Sequence, residues 1–324
     1  MFSIGKYIKE HYWFLKMDTL KADLHNHLLI GFQPTWRKIQ GHEQDNLADL
    51  MFAAATFRGI DIVAITSEEF EIPKGSVHDR FGVLSQHARR LDRGMGIYLA
   101  PIACQPQQEY TYKKFGENVF ALADAFHGLV VVNGQTVIVR DGETRYDYLV
   151  IGSNQVPNRM TLADTIKYCN DRGLLHGAEH ALCEEHFGIG QKNLEKHAHE
   201  IDFIETHNSQ MRWSTWLSRV PKIGKYNRGV NERAKIVAQQ YNKPGIATSD
   251  AHQPRDTGLS YISFSRGDLD LKGDGDNFLR NLRDAVRKGQ FETHEDYAGV
   301  RDWLRWTYQF QKGISSGPIP DGKI

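Results

Sequence analysis

The sequence predicts an α/β chain folded as a barrel of parallel β/α units. Short apolar, β-like runs alternate with helical stretches along most of the 324 residues. That alternation joins parallel strands through crossover helices. No glycine-rich phosphate fingerprint follows the first strand, which favours a closed or distorted barrel over an open doubly wound sheet. Polar, metal-capable side chains recur where strands end, and in such barrels the chemistry sits at the C-terminal ends of the strands.

The first strand is Lys21–His27, within the run KADLHNHL. Side chains alternate along a strand, so His25 and His27 are expected on one face with Asp23 one step behind. Three such groups on one face are costly unless a cation or a hydrogen-bond network pairs them. A helix over Asn46–Arg58 stops before Gly59 and leads to the strand Ile60–Thr66, which ends in Thr66, Ser67, Glu68 and Glu69. The helix Val83–Asp92 and the strand Gly96–Ile102 follow, then the strands Leu129–Ile138 and Tyr146–Ile151 and the helix Leu162–Asp171. The strand Leu174–Ala178 ends at Glu179 and His180. Ile201–Thr206 runs into His207 and Asn208, with Glu205 near its end, and Gly245–Thr248 runs into Ser249, Asp250 and His252. The helices Asn231–Tyr241 and Gly273–Lys288 complete the order. A lone histidine at a strand end is unremarkable; five such clusters on one rim point to a metal site.

Forty basic residues balance forty acidic ones. The net charge therefore offers no electrostatic case for nucleic-acid or membrane partners. The three cysteines, Cys104, Cys169 and Cys183, are odd in number and widely spaced. They fit buried thiols in a reducing cytoplasm better than a disulfide framework. No run of about 18 apolar residues marks a membrane span, and the N-terminus lacks the uninterrupted apolar core of a signal peptide. Three regions are expected: an N-terminal arm over 1–19, the barrel over 20–297, and a C-terminal helix with a flexible tail over 298–324. Trp213 and Trp216 could wall a pocket or pack on the barrel, and Trp303 and Trp306 are expected to pack on it. His197 and His199, two apart on a helix, do not share a face and read as structural.

The order of motifs resembles the polymerase-and-histidinol-phosphatase (PHP) family of metal-dependent phosphoesterases. The opening D-x-H-x-H is Asp23, His25 and His27; LMFAAATFRGIDIVAITSEE has the shape of the family's helix, glycine turn and strand; a histidine after a later strand is His180; E-x-x-N is Glu205 and Asn208; and S-D-x-H is Ser249, Asp250 and His252. The resemblance spans residues 20–265 and implies a distorted (β/α)7 TIM-like barrel that holds divalent metal. Departures accompany it. The family's T-D-H is Thr66-Ser67-Glu68 here, its bridging glutamate falls on Gln135, and its next histidine falls on Tyr148. Glu109 is the alternative source of the bridging carboxylate. A neutral amide cannot offset repulsion between two cations, so a reduced set is expected.

The resemblance thus implies metal ligands His25, His27, Glu68, His180, Asp250 and His252, holding one or two ions of Zn, Mn or Fe, the metals that suit imidazole with carboxylate. Asp250 and His252 are the candidates for acid–base work. Arg228 is the candidate cation for a phosphate, with Arg255 behind it. The activity implied is hydrolysis of a small phosphorylated substrate by a metal-activated water. Two other readings compete: an amidohydrolase-type hydrolase, which lacks a persuasive carboxylated lysine here, and a degenerate barrel that binds a ligand or partner without turnover.

Overall fold

The computed structural model describes residues 18–27, 52, 55, 57–67, 80–92, 111–123, 128–212, 229–252, 256–265, 268–269 and 274–299. The expected strand Gly96–Ile102, most of the helix Asn46–Arg58, nearly all of the N-terminal arm and the C-terminal tail, and Trp213, Trp216, Trp303 and Trp306 lie outside them. In chain order the elements are β1 (Thr19–Asn26), β2 (Ile62–Ser67), α1 (Arg80–Asp92), β3 (Thr111–Lys114), β4 (Val119–Ala123), β5 (Gly128–Asp141), β6 (Thr144–Ile151), α2 (Leu162–Asp171), β7 (Leu175–Ala178), α3 (Gly190–His197), β8 (Phe203–Asn208), α4 (Val230–Gln240), β9 (Gly245–Thr248), β10 (Tyr261–Ser265), α5 (Gly275–Arg287) and β11 (Glu292–His294).

The strands form one barrel-like, nearly closed sheet in the order β11-β10-β1-β2-β5-β6-β7-β8-β9, with the β3–β4 hairpin attached to β5. The sheet curls until the segment after β9 returns beside β1, where Asn26 bridges Ala251 and the His27 N–H donates to the Ala251 carbonyl at 3.0 Å. The sheet is mixed, which departs from the expected run of parallel β/α units. β1–β2, β2–β5, β7–β8 and β8–β9 are parallel, whereas β1–β10, β4–β5, β5–β6 and β6–β7 are antiparallel. The reason lies in Asp141-Gly142-Glu143-Thr144. Asp141 pairs with Thr144, and Gly142 takes φ 63° in the turn between them. A glycine in a two-residue loop folds a strand straight back on its neighbour, so no crossover helix is needed.

One apolar cluster fills the interior. Leu20, Ala22 and Leu24 of β1, Ile62 and Ala64 of β2, Val130 and Val132 of β5, Leu149 and Ile151 of β6, Phe203 and Ile246 meet there, and α5 adds Phe278, Leu282, Ala285 and Val286. The opposite faces of β2 and β5 pack against α1 through Val63, Ile65, Leu129 and Val131. Those of β6 and β8 pack against α2, α3 and α4 through Tyr148, Val150 and Ile204. Helix α2 starts on a capping box: Thr161 accepts from the Asp164 N–H at 3.1 Å and donates its hydroxyl to Asp164 at 2.7 Å. Gly173, at φ 65°, ends it. Cys169 and Cys183 are buried and outside any disulfide, and burial pushes the Cys169 thiol up to about 12. No helix among the described residues is long and apolar enough to cross a membrane.

Candidate metal centre

The centre starts with a break in β1. Leu20, Ala22 and Leu24 point into the interior, which puts Asp23 on the other face, and the β1–β2 register shifts between Asp23 and Asn26. That irregularity brings His25 inward, as bulges re-aim side chains. Asp23 therefore does not share a face with the two histidines, contrary to the simple alternation. It is a clamp instead. Its carboxylate accepts from the Ser249 N–H at 3.1 Å, the Ser249 hydroxyl at 2.5 Å and the Gly258 N–H at 2.7 Å. Burial raises its pKa to about 6 against the pull of these bonds.

His25 and His27 face each other, Nε2 to Nε2, at 2.9 Å. Asp250 Oδ1 lies 3.6 Å from His25 Nε2 and 3.2 Å from His27 Nε2. These edges bracket the roughly 3.0–3.4 Å expected between ligands about 2.1 Å from one first-row ion. His252 stacks on His27, with centroids 4.5 Å apart, and sets its Nε2 3.2 Å from Asp250 Oδ1. Glu179, the next inward position after Leu175 and Gly177, brings Oε2 to 3.4 Å from His25 Nε2 and Oε1 to 3.6 Å from His180 Nε2. Asp147, Glu179 and His180 form a second group, with ligand atoms within 4.8 Å of one another.

Glu205 organises the first group. Its carboxylate accepts from the backbone N–H of His180 and the Thr248 hydroxyl, both through very short bonds, and from Asn208 Nδ2 at 3.0 Å, and it meets His25 Nδ1 at 2.8 Å. With Nδ1–H held by a carboxylate, the Nε2 lone pair of His25 is left for the centre, the arrangement usual behind metal-bound imidazoles. Asn208 Nδ2 also donates to Asp250 Oδ2 at 3.0 Å. His180 and Asp250 sit at φ 30° and 47°, a region non-glycine residues occupy at a cost and mostly at functional sites.

The electrostatics ask for a cation. Asp147, Glu179, Glu205 and Asp250 are all buried beside the imidazoles. Burial opposes charge on His25, but Asp250, Glu205 and Glu179 outweigh it and raise its pKa well above the usual value. Burial likewise pushes Glu179 well up, while His25 and His252 overcome burial at Asp250 and hold its carboxyl well below the normal range. Burial lowers His180 to about 4, leaving a neutral imidazole suited to ligation. Glu179 Oε1 and His180 Nδ1 are buried without a hydrogen bond. Unmet groups of this kind, among this many carboxylates, fit a divalent ion.

The structure thus brings together His25, His27, His180, Asp250 and His252. Glu68 and Arg228 lie outside the described residues, as do Glu109 and Arg255. Gln135 does not face the centre. It lies on the strand face opposite Thr136, and its amide is spent on the Val156 backbone, donating to the carbonyl and accepting from the N–H at 3.0 Å each. Thr136 points inward and donates to Glu179 Oε2 at 2.9 Å. Tyr148 also faces outward, with its hydroxyl 2.5 Å from His176 Nδ1. Its neighbour Asp147 faces in. Asp147 is the carboxylate that sequence reasoning missed; Glu179 reads from the sequence as part of a polar strand-end cluster with His180 but not as a ligand, and its inward place follows the alternation Leu175, Gly177, Glu179 running off β7. His207 lies behind the rim, where it is buried and donates its Nε2–H to the Asp296 carbonyl at 2.9 Å.

Fold and site define a barrel-like α/β protein with a buried histidine–carboxylate centre suited to a divalent ion. Residues 228–290, which carry Asp250 and His252, match the family model described as PHP-associated. The match is consistent with a PHP-family protein, the family that the motif order resembles. The crystal structure of PsfC from Pseudomonas syringae PB-5123 is similar in fold, with TM-score 0.51 and 14% identity over 93% of this chain and 100% of that one. A search of the curated proteins gives no match.

Proposed function

We propose that the chain is a metal-dependent hydrolase and, more finely, a phosphoesterase acting on a small phosphorylated substrate with a Zn, Mn or Fe ion. The observation that carries this reading is the convergence of His25 Nε2, His27 Nε2 and Asp250 Oδ1 within 3.6 Å. These three would hold the ion, with Glu179 Oε2 alongside. When bound, the ion supplies Lewis acidity that makes a water acidic near neutral pH. Glu205 fixes the His25 ring, and Asn208 fixes the Asp250 carboxylate. His252, partly exposed at 13% and paired to Asp250, is placed to carry a proton between the centre and solvent.

Elemental analysis of the purified chain, with release of phosphate from a chromogenic aryl phosphate, tests the proposal. Close to one equivalent of metal is expected, lost in His25→Ala, with hydrolysis abolished by a chelator and restored by Mn²⁺ or Zn²⁺. A chain that holds its metal without hydrolysing any phosphate ester would be the non-catalytic binding barrel instead.

A further inference from the structure

Among the described residues β2 pairs with β5 as far as Ser67 opposite Gln135, and the β5–β6 hairpin continues beyond that point to Thr144 opposite Asp141. On β6, Ile151 and Leu149 point into the interior cluster, Asp147 reaches the second carboxylate group, and Arg145 is the next residue in that series. Arg145 therefore sits above the centre, on its side of the hairpin. Its guanidinium forks onto Asp147, with Nε 3.0 Å and Nη2 2.9 Å from Oδ1 and Nη2 3.2 Å from Oδ2. It also lies 4.2 Å over the Phe187 ring. The Asp147 N–H donates to the Phe187 carbonyl at 2.8 Å, so fork and platform are tied together. The side chain keeps 23% of its surface exposed, and among the described residues its hydrogen bonds run through Nε and Nη2.

Asp147, Glu179 and His180 have the makings of a second ion site. Asp147 already has a cation, however, and an ion beside it would be repelled by the guanidinium. Resting on the hydrolase reading above, we propose that Arg145 stands in for a second ion and is the anion-binding residue of the site: it holds the phosphate group of the substrate over the ion position at His25, His27 and Asp250. An arginine fixed by a carboxylate and an aromatic face presents its remaining N–H groups with little left to order, which suits an oxyanion. A salt bridge of purely structural use would instead leave anion affinity unchanged when lost.

The test is calorimetric titration of inorganic phosphate into the metal-loaded full chain, for wild type, Arg145→Gln and Arg145→Lys, with metal equivalents measured on the same samples. Wild type should bind phosphate. Arg145→Gln should bind it at least tenfold more weakly. Arg145→Lys should fall between them, since it keeps the charge and loses the fork. All three should keep the metal content of wild type. Four results would each overturn the proposal: phosphate affinity unchanged in Arg145→Gln, no phosphate bound by wild type, a second equivalent of metal in wild type, or metal lost with Arg145. A wild type that binds phosphate through Arg145 but holds no metal would keep the anion site and remove the hydrolase reading.

Discussion

Motif order puts Gln135 at the bridging position, but the inward carboxylate is Glu179, at the end of a different strand. Gln135 is buried on the outer face of β5, where its amide satisfies both the N–H and the carbonyl of Val156. A carboxylate there keeps the acceptor and loses the donor, and it buries a charge with no cation beside it. Gln135→Glu should therefore leave metal stoichiometry unchanged and destabilise the fold by about 2 kcal/mol; chemical denaturation with parallel metal analysis checks both. A variant that gains metal would put position 135 back at the centre. The histidines were legible because His-x-His, a later histidine and S-D-x-H are local patterns at strand ends. The face of Asp23 and the inward reach of Asp147 were not. Asp23 changes face through an irregularity that no composition signals, and Asp147 and Tyr148 are separated only by strand parity, which a shift of one residue inverts.

At the scale of elements, the hairpin between β5 and β6 was written in Asp141-Gly142, and the mixed sheet follows from it. β10 and β11 were missed because they are short, five and three residues, with little periodicity. The junction of β1 and β2 carries a pH signature. Asp61 is buried, accepts from the Lys21 N–H at 2.9 Å, and has its pKa raised by burial from 3.8 to about 7. The folded state thus binds this proton more tightly than the unfolded chain does. Its contribution is complete below about pH 4 and is lost as pH rises through about 7, on the order of 4 kcal/mol in all. Asp61→Asn keeps an acceptor and removes the titration. Melting temperatures of the two proteins should diverge from pH 5 to pH 8, with the variant ahead at the alkaline end. Parallel curves would show that Asp61 is not charged at a cost in the fold. The close approach of β7 to β8 is a second element-scale feature. A Cβ on Gly177 would come within 2.3 Å of the Phe203 carbonyl oxygen. Gly177→Ala should lose about 3 kcal/mol or more by forcing the strands apart, measured as a lower denaturation midpoint. A midpoint equal to wild type would mean that the two strands are not held that closely.

For the molecule as a whole, the buried carboxylates tie stability to the cation that balances them. At a metal concentration 100 times its dissociation constant, binding adds about 2.7 kcal/mol to the folded state. A strong chelator should lower the melting temperature, and His27→Ala should abolish that difference; a chelator without effect on wild type would show the carboxylates to be balanced from within. The barrel closes on a bond between distant parts of the chain: Asp23 holds Ser249, 226 positions later, and Gly258 beyond it. A nascent chain carries His25 and His27 long before β9, and it cannot complete their surroundings until β9 and the segment after it have been made. Contacts of such separation fold late, after a large loop-closure cost. Until then the first strand must wait with polar groups unmatched and one apolar face uncovered, so the pace of synthesis through β9 and the segment up to Gly258 sets when a cation can first be captured.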